Sequence, residues 1–202
     1  MTLLANHPQR SEITERLRQN IVLRRLDAAA FGELEAQLAI MDYKKGDVLL
    51  SQGAHDMEQY FVIDGILKRV VASPEGKEMI LRFAAEDDMD TSYAAWKLRT
   101  PAPYSIRAVT KAQVAKLPLP QWAQFLDAHP DLKDDFEYEI MHLMSEVMAH
   151  TITLHLLDAP GRVHRFVRKH SDLAERVPKK ELASYLNLSA ETLSRLKQSG
   201  KI

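Results

Sequence analysis

The chain has 202 residues, is 46% hydrophobic and 27% charged, and carries a net charge of −1. That balance suits one large or two small globular domains, and no apolar run approaches the roughly 18 residues of a membrane span. The absence of cysteine excludes disulfides and Cys-ligated zinc or iron–sulfur centres and, with no charged and apolar leader in MTLLANHPQRSEITERL, makes a cytoplasmic location the expectation.

Residues 11–40 are expected to be helical. Ile13, Leu17 and Ile21 follow at spacings of four, and Asp27 is placed to cap the run AAAFGELEAQLAI. From Met41 the period shortens. Gly46-Asp47 predicts a turn and VLLSQG a short strand. YFVIDGILKRVVA predicts two strands broken at Asp64-Gly65, and SPEGKE predicts a hairpin loop before MILRFA. YSIRAVTKAQVAKLP adds two strands, closed by Pro118 and Pro120. Short strands with turn signals every eight to twelve residues indicate a sandwich or barrel over roughly 41–118.

Residues 119–133 read as short helices and a loop. The segment after them, 134–158, contains no Gly or Pro and predicts one long helix. Phe136, Ile140, Leu143, Val147 and Leu154 hold a 3/4 spacing, with Met144, Met148 and Thr151 beside them. A long helix after a compact β domain either buries this stripe against a second copy of the chain or lies across its own β domain. The first option assigns Phe136, Ile140, Leu143, Met144, Val147, Thr151 and Leu154 to a dimer seam. Ala159-Pro160-Gly161 is expected to break the helix before RVHRFVRKH begins another.

Residues 160–202 hold ten Lys or Arg against four Asp or Glu, a local charge of +6 on a body of −7. Such an end either meets a polyanion or is a solvated face. Within it, KKELASYLNLSAETLSRLKQ (179–198) fits a helix-turn-helix, the alternative being an ordinary helical hairpin. Ala183 allows close helix approach, and Asn187 tolerates the positive φ of the turn. Leu182, Leu186, Leu188, Leu193 and Leu196 take the apolar positions. Pro178 suits the first helix start, and Ser189 caps the second with Glu191 in its first turn. The exposed side chains of the second helix are then Ala190, Glu191, Ser194, Arg195 and Gln198.

In this order of parts the chain resembles the Crp/Fnr family of bacterial transcription regulators. KKGDVLLSQG, YFVIDGILKRV and EGKEMILRF are similar to its cyclic-nucleotide-binding-type β-roll, the 134–158 helix to its dimerisation helix, and HSDLAERVPKKELASYLNLSAETLSRLK to its DNA-binding module. The similarity extends to a short, Bacteroidetes-like branch that ends without a C-terminal wing. The resemblance implies an α+β chain: helices and a jelly-roll sensor over 1–133, a dimerisation helix over 134–158 and a helix-turn-helix domain over 159–202. It implies double-stranded DNA, a second copy of the chain and RNA polymerase as partners, and no enzymatic activity. Glu191, Ser194 and Arg195 match a Glu-x-x-Ser-Arg pattern linked to TTGA-type half-sites, with Lys179, Lys180, Ser189 and Lys197 toward phosphates.

The chain departs from the family's cyclic-AMP binders in one loop. Where those carry Gly-Glu, this sequence has Asp90-Thr91; where they carry Arg-Ser, it has Ala102-Pro103. The effector is therefore expected not to be cyclic AMP, unless Arg99 or Arg107 substitutes, and Arg107 is expected to point outward. Phe83, Asp90, Thr91, Tyr93, Trp96 and Tyr104 either line a pocket for another ligand or, for the aromatics, are β-roll core. No cofactor or metal is expected, since His142, His150 and His155 do not share one helix face and no HExxH or nucleotide-binding motif is present. A haem-based gas sensor and a ligand or protein-interaction module with a decayed helix-turn-helix are the alternatives.

Overall fold

The computed structural model describes residues 2–199. Short alternating segments bounded by Gly and Asp form two antiparallel sheets. The first has the order β1 (Thr2–Leu3), β2 (Ala39–Tyr43), β9 (Ala112–Pro118), β4 (Glu58–Asp64), β7 (Met89–Thr91). The second has the order β3 (Val48–Leu50), β8 (Ser105–Ala108), β5 (Leu67–Ala72), β6 (Glu78–Ala84). Only β5 and β6 form a sequence-local hairpin, with Gly76 at φ 80° in its loop. β4 and β5 are consecutive yet lie in different sheets, so the chain changes layer at Asp64-Gly65. This is a jelly-roll β-roll.

Gly65 makes that layer change possible. Its φ is 92°, and a Cβ there would lie 2.3 Å from the Lys111 carbonyl oxygen. Its amide donates to the Glu86 carboxylate at 2.8 Å.

The N-terminal segment is not one helical run. It forms α1 (Arg10–Leu17), a 3₁₀ turn (Leu23–Arg25) and α2 (Ala28–Glu35). Asn20 causes the break. Its side-chain oxygen accepts from the Val22 amide at 3.1 Å while its amide donates to the Asp88 carbonyl at 2.9 Å, which diverts the backbone from helix. Asp27 caps α2, accepting from the Ala30 amide at 2.8 Å. Ile13, Leu17, Phe31 and Leu34 bury against the β-roll.

After the short α3 (Tyr93–Lys97) and α4 (Leu119–Ala128), the long helix α5 spans Pro130–Leu156, 27 residues and about 40 Å. It starts four residues before the expected 134 because Pro130 takes the first helical position, where its missing N–H costs nothing. The break at its end also differs from expectation. Asp158 accepts from the Gly161 amide at 2.9 Å, so Pro160 and Gly161 lie in the first turn of α6 (Ala159–Lys169) rather than in a linker. α7 (Ser171–Arg176), α8 (Lys179–Tyr185) and α9 (Ala190–Gln198) complete the described chain.

Two apolar cores result. The larger fills the β-roll and runs under α1, α2, α4 and α5 through Phe61, Trp122 and Phe136. The smaller joins the outer face of the second sheet (Ile66, Val70, Ile80, Phe83) to Val163, Phe166, Leu182 and Tyr185 of the C-terminal helices.

Gly65→Ala combines a positive φ with a backbone clash, whereas a Cβ at Gly76 would meet nothing within 4 Å. Urea unfolding should show Gly76→Ala costing about 1 kcal/mol and Gly65→Ala at least about 3 kcal/mol, because backbone strain of ~1–3 kcal/mol is joined by a contact that cannot relax.

Candidate functional site

α8 and α9 pack as a helix-turn-helix. Asn187 holds φ 52° at the turn, and the Leu188 amide reaches back to the Ala183 carbonyl at 2.8 Å. Ala183, Leu182, Leu186 and Leu193 are buried, with Leu188 and Leu196 packed beside them. Ser189 caps α9, its hydroxyl accepting from the Thr192 amide at 3.0 Å. The opposite face of α9 is open to solvent: the Glu191 and Arg195 side chains are 80% and 69% exposed, and Ser194, Lys197 and Gln198 are also exposed. Glu191 and Arg195 approach only to 4.0 Å, a surface pair worth little that leaves both free to bind elsewhere. Lys179 and Lys180 project at the start of α8. Lys201 lies outside the described residues.

Tyr185, the last residue of α8, ties this module to the rest of the chain. Its ring stacks on His150 of α5 at 3.8 Å and meets Phe83 of β6 at 5.1 Å and Phe166 of α6 at 5.4 Å. The α8 carbonyls left without helical partners are taken by side chains. The Tyr185 carbonyl lies 3.1 Å from His150 Nε2, which assigns the hydrogen to that nitrogen. The Leu186 carbonyl accepts from Arg162 at 3.1 Å. Burial pushes the His150 imidazole down to about 4, and nearby His170, Arg165 and Lys169 act in the same sense against the Tyr185 carbonyl, so His150 is neutral at pH 7. The rim carries Lys68–Glu181 at 2.7 Å, Lys169–Glu146 at 2.6 Å and a bidentate Arg176–Glu86 pair at 2.6 and 2.7 Å.

On α5 the expected dimer seam needs correction. Phe136 is fully buried in its own chain, packed edge-on against Trp122 at 5.3 Å and Tyr93 at 5.0 Å, and Leu143 is buried too. Neither is available to a partner. Ile140, Val147 and Leu154 are half-buried, and Met144 and Thr151 are exposed. The open apolar face is rotated toward Tyr138, Met141, Met144, Met148 and Ile152.

Inside the β-roll the candidate pocket residues Asp90, Thr91 and Tyr93 are buried, and Asp90 Oδ2, Thr91 Oγ1 and the neighbouring Ser92 Oγ have no hydrogen-bond partner among the described residues. Asp90 is fully buried and accepts from Arg69 Nε at 2.6 Å; the Arg69 side chain is 3% exposed. Arg69 Nη2 also donates to the Thr91 carbonyl at 3.0 Å, and the Tyr104 hydroxyl donates to the same oxygen at 2.6 Å. The guanidinium lies 4.6 Å from the Tyr104 ring centroid. Tyr93 and Trp96 pack on each other at 5.8 Å, with Tyr93 against Phe136. Phe83 is not part of this interior at all: it projects from the outer face of the second sheet toward Tyr185. The cation opposite Asp90 is thus Arg69, not Arg99 or Arg107. Arg107 points outward and pairs with Glu78 at 2.6 Å. The signal for Arg69 was LKRVV: adjacent Lys and Arg in one strand must face opposite sides, so one of them points inward. Among the described residues, no three His, Asp or Glu side chains cluster to hold a metal ion, and no helix is long and apolar enough to cross a membrane.

Residues 40–129 match the family described as cyclic nucleotide-binding domain. The nitrogen fixation regulation protein FixK of Bradyrhizobium diazoefficiens is 25% identical over 190 residues, covering 89% of this chain and 78% of that protein. The cAMP-activated global transcriptional regulator CRP of Salmonella typhimurium is 21% identical over 167 residues, covering 78% and 80%. Among solved structures, the c-di-GMP responsive global regulator CLP of Xanthomonas campestris superposes with a TM-score of 0.69 at 18% identity, over 86% of this chain and 92% of that one. FixK2 of Bradyrhizobium japonicum superposes with 0.68 at 15% identity, over 81% and 86%. These likenesses agree with a β-roll followed by C-terminal helices.

Removing one partner of the Arg69–Asp90 pair leaves the other charge buried. Arg69→Ala should lower unfolding stability by about 3–5 kcal/mol, while the double change Arg69→Met with Asp90→Leu should recover most of that loss, as buried ion pairs replaced by apolar groups often do. Urea titration of the two variants checks this.

Proposed function

We propose that the chain is a transcription regulator of the Crp/Fnr type, like the relatives it is similar to, and that it binds a palindromic duplex DNA site as a homodimer, with α9 in the major groove. The observation that carries this reading is the pair of leucine-locked helices joined at Asn187, with Glu191, Ser194 and Arg195 turned to solvent. Arg195 can donate twice to the O6 and N7 of guanine. Glu191 can accept from the N4 amine of cytosine, and Ser194 leaves room for a thymine methyl. Lys179, Lys180, Lys197 and Ser189 take phosphates and set register without reading sequence. Two-fold symmetry then requires an inverted repeat with half-sites about one turn apart, of the form TTGA-N6-TCAA. RNA polymerase as a partner rests on the family resemblance alone.

The dimer forms through the open face of α5. Exposed methionines in helical register are unusual on a solvated surface, and a second copy of the same stripe would cover them. The effector is not cyclic AMP. A nucleotide phosphate would have to take Arg69 from Asp90 and leave that carboxylate buried and uncompensated.

Two measurements test these readings. Selection of sites from a random duplex library should enrich an inverted repeat containing a G·C pair in each half-site, with or without saturating cyclic AMP. On the selected site Arg195→Ala should cost about 1–3 kcal/mol and relax preference at that pair, while Lys180→Ala should weaken all sequences alike and flatten the salt dependence. A direct repeat, or no salt-dependent binding, defeats the assignment.

For the dimer, Met144 and Met148 are 52% and 60% exposed, so changing both to Asp should leave the fold intact. The variant should sediment as a monomer with DNA affinity lowered at least tenfold. A wild-type chain that sediments as a monomer at micromolar concentration contradicts the seam.

A further inference from the structure

A small cleft lies where β6, α5, α6 and α8 meet, at the junction of the β-roll and the helix-turn-helix. Its free volume is about 50 Å³, room for roughly four waters at ~10–15 Å³ each. That is the size of a five-atom oxyanion and too small for a nucleotide. Its charged lining is Arg82 from β6, Glu146 from α5, and Arg162, Arg165 and Lys169 from α6, with the neutral His150 of α5 and, beyond α6, His170 beside them.

The charges do not balance. Arg82 is paired with Asp88, and Lys169 with Glu146 at 2.6 Å. Among the described residues, Arg162 meets only the Leu157 and Leu186 carbonyls, at 2.9 and 3.1 Å. The Arg165 side chain makes no hydrogen bond or ion pair among the described residues. Two full positive charges therefore face one half-enclosed space without a counter-charge. We propose that this cleft binds a tetrahedral oxyanion of two negative charges, either inorganic phosphate or the terminal phosphate of a small metabolite, held between Arg165 and Arg162. A dianion matches both the volume and the missing charge, and guanidinium groups present paired N–H donors to such oxygens. Its surroundings agree: burial, then the Lys169 and Arg82 cations, hold the His170 imidazole below its ordinary value, with Glu146 acting the other way. The bound anion would touch α5, α6 and β6 together, so it would fasten the C-terminal helices to the β-roll. The site is separate from the DNA-reading face of α9 and does not depend on that assignment.

The test uses the full chain without DNA. Inorganic phosphate and, separately, phenyl phosphate are titrated at constant ionic strength against sodium chloride. The His170 ring resonances are followed by NMR and heat by calorimetry. The expected result is saturable binding of at least one of the two, with an upward shift of the His170 titration as the anion binds. Binding of both identifies free phosphate as sufficient; binding of phenyl phosphate alone assigns the site to a phosphomonoester. Arg165→Gln removes an exposed side chain without a partner, so it should leave thermal unfolding unchanged and weaken binding at least tenfold. Saturable binding that Arg165→Gln does not weaken, or a response to both probes no different from chloride, overturns the proposal.

Discussion

The second sheet of the β-roll is covered on both faces, and this constraint shapes the whole molecule. Its inner face packs on the first sheet. Its outer face presents Ile66, Val70, Ile80 and Phe83, which would otherwise meet water. The four short helices of residues 159–198 have the complementary problem. About forty residues in such helices cannot enclose a sufficient core of their own. Phe166, Leu182 and Tyr185 complete it on Phe83 and its neighbours. The orientation of the helix-turn-helix is therefore set by a shared core rather than by a linker. Of the rim pairs, Arg176–Glu86 is partly solvated and contributes little stability, whereas Lys68–Glu181 is largely buried; both restrict the orientation of the module.

Within the roll, Arg69 and Asp90 solve a different problem. They lie on β5 and β7, in opposite sheets. Desolvating two charges costs several kcal/mol each; the Thr91 amide on Asp90 Oδ1, the Thr91 carbonyl on Arg69 and the Tyr104 ring offset part of that, while Asp90 Oδ2 is buried without a hydrogen-bond partner. The pair pins one sheet to the other. Around it Gln59 Oε1, Asp90 Oδ2, Thr91 Oγ1 and Ser92 Oγ are buried without a hydrogen-bond partner among the described residues.

Features governed by local rules were legible in the sequence. Asp27, Ser189 and Asn187 act through their own backbone neighbours, and their roles follow from residue type and position alone. The Asp64-Gly65 and Glu75-Gly76 turns are of the same kind. What escaped depends on which side a pattern faces. The alternation in LKRVV puts one of Lys68 and Arg69 inside but does not say which, because the same pattern fits either register. Phe83 is the converse, an aromatic taken for pocket lining that belongs to the outer core. On α5, Phe136 and Leu143 are seven residues apart, a spacing that fits a seam between copies as well as it fits burial on one's own β-roll. The helix is apolar around more than one stripe, and periodicity cannot tell which stripe its own chain claims. Asn20 broke an expected helix through a bond to Asp88, sixty-eight residues away.

Helix α5 connects these regions mechanically. Near its start Phe136 is anchored in the β-roll core; along its middle Met141, Met144 and Met148 stand open; toward its end His150 holds Tyr185 by ring and carbonyl. A continuous 27-residue helix is stiff, so a rotation that repacks its open face also moves His150 relative to α8. The His150 contact is sensitive to such movement, because a stack at 3.8 Å with planes 4° apart tolerates little displacement. Arg162 holds the neighbouring carbonyl from α6, which joins α8 to a second helix at the same end. Binding at the junction can bias the module only by differing in affinity between two arrangements of these helices. A factor of one hundred in affinity, about 2.7 kcal/mol, would exceed what the solvated Arg176–Glu86 pair contributes and would rival a single buried aromatic contact. The docking of the helix-turn-helix seen here therefore rests chiefly on how well Tyr185 fits between His150 and Phe83, with the surrounding charges adjusting it.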